Sequence, residues 1–217
     1  GEDVGIEVKI FPNAQVVGSD RDSIEAVTLG EIDMTSVAEL QFAPNIKEFY
    51  VFNADYLFDD LKDAKAKLDG EQGDLLKKAA DDKNMGVKVA AFFGSSGRIF
   101  WNNVREVNTL ADFQGIKSRA PENPINIAEL EALGCIPTPM AWNELYTGLQ
   151  QGTVDGLVSS KMPIIQQGLI DVLKYATDTN HSYSINVILI SSAKYNSFSE
   201  EQRAAYDKAI AGAAEEE

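Results

Sequence analysis

Cysteine and histidine are almost missing from this chain: Cys135 and His181 stand alone among 217 residues. A lone cysteine excludes an intrachain disulfide and a cysteine-rich metal site, and one histidine leaves little room for the usual zinc ligand sets, although an all-carboxylate site stays open. A Ser-His-Asp or Cys-His arrangement would have to use His181, and Gly94-Ser95-Ser96-Gly97 has the wrong spacing for a nucleophile elbow. No apolar run approaches the roughly 20 residues that span a bilayer. No basic-then-apolar leader opens the chain at Gly1, and Glu215 to Glu217 close it in acid, so a processed or trimmed piece is expected.

Basic residues are also scarce. Lys and Arg number 19 against 34 Asp and Glu, a formal charge of −15 and a pI near 4.4. A surface of that sign repels phosphate backbones and argues against nucleic-acid partners. Screening over about 8 Å at physiological salt still permits a locally positive site. With 44% apolar residues, the chain can bury one large core or the cores of two small lobes.

Ile6, Val8 and Ile10 alternate with Glu7 and Lys9, the pattern of a half-buried strand. Ser19 with Asp22 caps a helix that runs to Gly30, and Glu31 to Thr35 reads as a short strand. Phe49, Tyr50, Phe52, Tyr56 and Phe58 crowd one segment, either as core or as a wall of a ligand site. Helices are expected from Asp59 or Asp60 through Leu68, and beyond Gly70 and Gly73 to Gly86. Val87 to Phe93 reads as a buried strand, followed by a flexible joint at Gly94 to Gly97. Short strands are expected at Ile99 to Asn102, Val104 to Val107 and Ile116 to Arg119, with Thr109 and Asp112 capping a single turn between the last two. Pro124 opens a helix that stops at Gly134. Ile136 to Met140 then forms a proline-braced turn before a helix with Trp142, Leu145, Tyr146 and Leu149 on one face. Val154 to Val158, Val172 to Ala176 and Ile185 to Ile190 read as strands, Met162 to Ile170 as a helix, and Ser199 with Gln202 as the cap of the last helix. This alternation argues for an α/β protein with largely parallel sheets.

Three stretches then carry a resemblance: Gly115-Ile116-Lys117-Ser118-Arg119-Ala120-Pro121, Pro137 through Tyr146, and Leu149-Gln150-Gln151-Gly152-Thr153-Val154-Asp155-Gly156. Phe11 to Gln15, Leu29 to Met34 and Thr179-Asn180-His181 agree in order. Together they resemble the extracytoplasmic solute receptors of tripartite ATP-independent periplasmic (TRAP) transporters, solute-binding protein family 7, dicarboxylate-receptor type. The resemblance implies a two-lobed periplasmic-binding-protein-like α/β fold, type II-like, with a ligand cleft between the lobes and both termini truncated. It implies lobe 1 from 1–94 and 185–217, lobe 2 from 95–184, and a hinge near 94–97 and 184. It also implies a periplasmic receptor for a small organic acid, with no catalysis, no cofactor and no metal, whose partners are the TRAP membrane permease subunits.

Residue by residue, Arg119 matches the family arginine that grips the ligand carboxylate, a task for which a planar guanidinium fork is suited and an ammonium is not. Arg98 matches a second arginine beside the ligand, or is a plain turn charge. Trp142 matches a cleft aromatic, or packs in the core. Ser159 stands where many relatives carry a ligand-reaching asparagine, so Asn186 or Ser184 is a candidate for the missing contact. His181 reads as a structural hinge-strand residue, or as a ligand contact. Glu39, Glu122 and Asn180 are weaker polar candidates expected on a solvated surface. Other readings stay open: the binding component of an ABC transporter or sensor, or a small-molecule enzyme using Glu144 and Asp155.

Overall fold

Ser19 sets the first helix end. Its hydroxyl accepts from Asp22 N at 3.2 Å, and the helix that follows, α1 (Asp20–Leu29), is closed by Gly30. The structure, a computed structural model, describes residues 4–12 and 15–215. Gly1 to Asp3, Asn13 and Ala14 of the Phe11 to Gln15 stretch, and terminal Glu216 and Glu217 lie outside the described residues.

After α1 come β1 (Met34–Ala38), α2 (Glu39–Phe42), a 3-10 segment over Lys47–Asn53, α3 (Leu61–Leu68) and α4 (Glu71–Lys83). Two strands, β2 (Val87–Gly97) and β3 (Ile99–Asn102), precede a capped 3-10 turn at Leu110–Phe113, where Thr109 and Asp112 form the expected box. The chain continues through β4 (Lys117–Ala120), α5 (Pro124–Ala132), β5 (Ile136–Pro139), α6 (Leu145–Gln151), β6 (Gly156–Ser159) and α7 (Lys161–Gln166). It ends with β7 (Tyr175–Thr177), β8 (Tyr183–Ser191), α8 (Ser192–Ser197) and α9 (Glu200–Glu215), the last opened by the Ser199–Gln202 box.

These elements form two compact units. The first holds residues 1–49, 62–94 and 185–217, around a three-stranded sheet in the order β1-β8-β2. Antiparallel β1 and β8 set Val37 opposite Val187, both buried, and the buried Phe42 and Phe49 of the same unit meet edge to face at 4.9 Å. The second unit holds 50–61 and 95–184, around a five-stranded sheet in the order β5-β4-β6-β3-β7. One of its faces packs Leu145, Leu149, Leu157 and Ile164; another apolar cluster gathers Phe100, Phe113, Ile116, Leu130 and Cys135. Residues 50–61, expected with the first lobe, group with the second unit.

Several expectations need correction. The sheets are mixed, not largely parallel: β4 runs parallel to β5 and β6, whereas β1 with β8 and β3 with both β6 and β7 are antiparallel. Ile6 to Ile10 is not a strand, because alternation forms one only against a partner; Ile10 is 81% exposed. Val104 to Val107 is irregular for a local reason: the Asn102 side chain accepts from Val104 N and Arg105 N, which turns the chain out of extension. Among the crowded aromatics, Phe49 and Phe52 are core, but Tyr56 is exposed.

The supposed flexible joint, Gly94 to Gly97, is strand, the end of β2. A Cβ at Gly97 would lie 1.8 Å from Asn180 Oδ1, so a larger residue there would displace the Asn180 side chain. The proline-braced turn is strand too. Pro137 and Pro139 fit in β5 because it is an edge strand, paired on one side only. Gly73 lies inside α4 and not before it, since a Cβ would meet the Leu68 carbonyl oxygen at 1.8 Å where the α3–α4 corner closes.

Two predictions follow from this packing. Gly73→Ala should destabilise the protein by roughly 1–3 kcal/mol through forced overpacking, while Gly212→Ala, in open space on α9, should stabilise it by about 0.5–1 kcal/mol. Thermal melts of the pair check this, and equal shifts would refute the close approach. Burial pushes the Cys135 thiol up to about 11, against a smaller opposing pull from Arg105. Its reaction with a colorimetric disulfide reagent at pH 8 should therefore be negligible in the native protein and complete in denaturant; prompt native labelling would contradict the buried placement.

Candidate functional site

The second unit places its polar groups at one edge of its sheet. In β4, Ser118 and Ala120 alternate with Lys117 and Arg119, and Ala120 packs with Phe100, Phe113 and Ile116. Arg119 therefore faces the other way. Its parallel neighbour in register is Leu157 of β6, which belongs to the apolar cluster flanked by Met140 and Trp142.

The end of β5 brackets this arginine. Met140 N donates to Ala120 O at 3.1 Å, and Met140 O accepts from Arg119 Nε at 2.9 Å. The Trp142 ring centroid lies 5.6 Å from Arg119 Cζ, within reach of a cation–π interaction. Arg119 is only 7% exposed, so the guanidinium is held in a set plane on a largely apolar face.

Ser159 ends β6 two residues after Leu157 and so lies on the same face as Arg119. It is buried, and its carbonyl accepts from Trp101 Nε1 at 2.9 Å. Because Ile99 pairs with Ser159, Arg98 sits just beyond the same sheet edge. The Arg98 amide donates to Ser182 O at 2.8 Å, and its Nε reaches Tyr183 O at 3.5 Å. Arg98, Arg119, Trp142 and Ser159 thus gather where β4 and β6 end and β3 begins. The carboxyl ends of parallel strands are a recurrent place for ligand groups in α/β sheets.

Asn186 and Glu39 belong to the first unit. Asn186 is half-buried in β8 opposite Ala38, and Glu39 follows as the first residue of α2. Glu39 is 1% exposed, so its expected solvated position is wrong; the turn from β1 into α2 carries it inside. Glu122 and Asn180 are exposed as expected, and Ser184 is half-buried.

His181 lies outside any strand, in the segment before β8. Its Nε2 is 3.3 Å from Glu129 Oε1 on α5, and its Nδ1 is 2.8 Å from Thr179 Oγ1. Asp55 completes a group whose donor atoms all lie within 4.8 Å of one another. Burial pushes the Asp55 carboxyl up, reinforced by the Glu129 charge. Burial also pushes Glu129 up, but the His181 hydrogen bond and charge, with help from Asn126 and Arg98, bring it below the usual value. No sequence signal marks this group, because its members come from three distant segments with no motif spacing.

The carboxylates weighed for enzyme chemistry have structural uses or lie in solvent. Asp155 Oδ2 accepts from Lys117 N at 3.1 Å and Oδ1 lies 3.6 Å from Lys117 Nζ, tying the start of β4 to the turn before β6. Glu144 is exposed.

Comparison with known proteins agrees with this geometry. The family model for bacterial extracellular solute-binding protein, family 7, matches residues 3–217. A solute-binding protein of Verminephrobacter eiseniae is 36% identical over 208 residues, covering 95% of this chain and 61% of its own length. The crystal structure of a sugar acid binding protein of Advenella mimigardefordensis, in complex with galactonate, superposes with a TM-score of 0.91 at 30% identity, covering 96% of this chain and 66% of that one. A TRAP periplasmic solute binding protein of Chromohalobacter salexigens with bound D-glucuronate gives a TM-score of 0.93 at 26% identity, covering 99% of this chain and 70% of that one. The chain spans about three fifths of the curated relatives' length, as the 61% shows. Among the described residues no helix is long and apolar enough to cross a membrane.

Proposed function

The chain belongs to the bacterial extracellular solute-binding proteins of family 7, and from that premise we propose that it is a periplasmic receptor for a small organic acid. It would deliver that acid to the membrane permease of a TRAP transporter and carry out no reaction itself. The observation that carries this reading is the placement of Arg119: a guanidinium at the end of a parallel strand, oriented by the Met140 carbonyl and stacked near Trp142. A planar donor fork fixed in this way suits a carboxylate, and burial strengthens such a pair relative to water.

In this reading Trp142 packs against the carbon skeleton of the acid, and Ser159, at the same edge, sorts its hydroxyl pattern. A serine hydroxyl both donates and accepts, which fits a hydroxylated acid. The galactonate and glucuronate held by the two similar proteins support that ligand class. Arg98 adds positive charge at the edge, although its guanidinium also lies in the field of Asp55 and Glu129. The two compact units are taken as the two lobes of the family fold, and 94–97 and 184 as their hinge. The grip on the carboxylate is assigned to the second unit.

Isothermal titration against galactonate, glucuronate and succinate tests the assignment. Removing one partner of a buried charged pair costs about 2–5 kcal/mol. Arg119→Ala should thus weaken the acid that binds by about 30-fold or more. Arg119→Lys should recover little of the loss, because an ammonium keeps the charge and loses the fork. Unchanged affinity in Arg119→Ala would sink the assignment.

A further inference from the structure

The geometry points to a divalent transition-metal site formed by Asp55, Glu129 and His181. The three donors arrive from the turn after the Lys47–Asn53 segment, from α5 and from the segment before β8. Their mutual reach is 4.8 Å or less, close enough for one ion to touch all three after a small shift of the exposed Asp55.

The orientation of His181 carries most weight. Thr179 Oγ1 donates to Arg98 O at 3.4 Å and lies 2.8 Å from His181 Nδ1, which fixes the ring. Nε2 is thereby turned toward Glu129 Oε1, 3.3 Å away. A strong charge-assisted hydrogen bond would draw the atoms to about 2.7–2.9 Å. Two ligands of a tetrahedral zinc, each about 2.0–2.1 Å from the metal, stand roughly 3.3–3.4 Å apart. The observed separation matches the second case.

The surroundings fit a cation. Two carboxylates and one imidazole turn their donor atoms toward one another, with the Arg98 guanidinium in the field of both acids. Thr179 on Nδ1 is the outer hydrogen bond that orients a metal-bound histidine. The backbone is also held in costly conformations beside two of the donors: Tyr56 has φ 58 and Asn180 φ 40, and Tyr56 N is tied to His181 O at 2.6 Å. One imidazole with two carboxylates favours zinc, nickel or copper over calcium, which takes oxygen ligands.

The test needs no organic acid and so stands or falls apart from the receptor reading. Tag-free protein, stripped with chelator, is dialysed against zinc chloride near neutral pH and its metal content measured. His181 is the only histidine and Cys135, the only cysteine, is buried, so background uptake by other nitrogen or sulfur donors is small. One zinc per chain is expected, with calcium failing to displace it. His181→Ala and Asp55→Asn should each weaken uptake by about tenfold or more with unchanged circular dichroism. Asp55 is exposed, so its variant keeps the test valid if His181→Ala fails to fold. Absence of saturable uptake, or equal uptake by the folded Asp55→Asn variant, would overturn the site.

Discussion

A guanidinium held inside an apolar face is the constraint on which the second unit depends. Moving a charged side chain out of water costs several kcal/mol, and the Met140 carbonyl and the Trp142 ring offset part of it. Arg119 is nonetheless placed with care: β5 ends so that Met140 bonds the Ala120 carbonyl with its own N–H and Arg119 with its own carbonyl. The same face then carries Leu157, Leu145 and Leu149, which fix the strand beneath.

That constraint explains why two misread stretches matter. The prolines of Ile136 to Pro139 suggest a turn, since proline cannot donate to a ladder. The physical answer lies in topology, which periodicity does not report: β5 is an edge strand and needs a partner on one side only. Were it a turn, Met140 would not reach Arg119. Gly94 to Gly97 reads as loose by composition, yet it forms the end of β2, with the Asn180 side chain lying against Gly97. Short-range signals succeeded where the cause is local, as at Ser19 with Asp22, Thr109 with Asp112 and Ser199 with Gln202. They failed where a partner decides, as at Ile6 to Ile10.

The site was legible in the same uneven way. Arg119 and Trp142 lie in motif stretches, whereas Arg98 and Ser159 lie beyond them; register sets Arg98, Arg119 and Ser159 near the same strand ends, with Trp142 5.6 Å from Arg119. Burial of Glu39 was not legible, because a carboxylate after a short strand carries no sign of its environment. Asp55 and Glu129 were silent for a deeper reason: their chemistry exists only through His181, which the fold brings to them from a distant segment. A strongly acidic protein hides such groups among many solvated acids.

The central claim is that Arg119 holds an organic acid, and native mass spectrometry of freshly purified protein tests it most directly. The account predicts an adduct whose released anion is a small carboxylic acid, present on the unmodified protein and lost from Arg119→Ala purified alongside. An adduct retained in full by Arg119→Ala, or one that proves to be neutral or cationic, would contradict it.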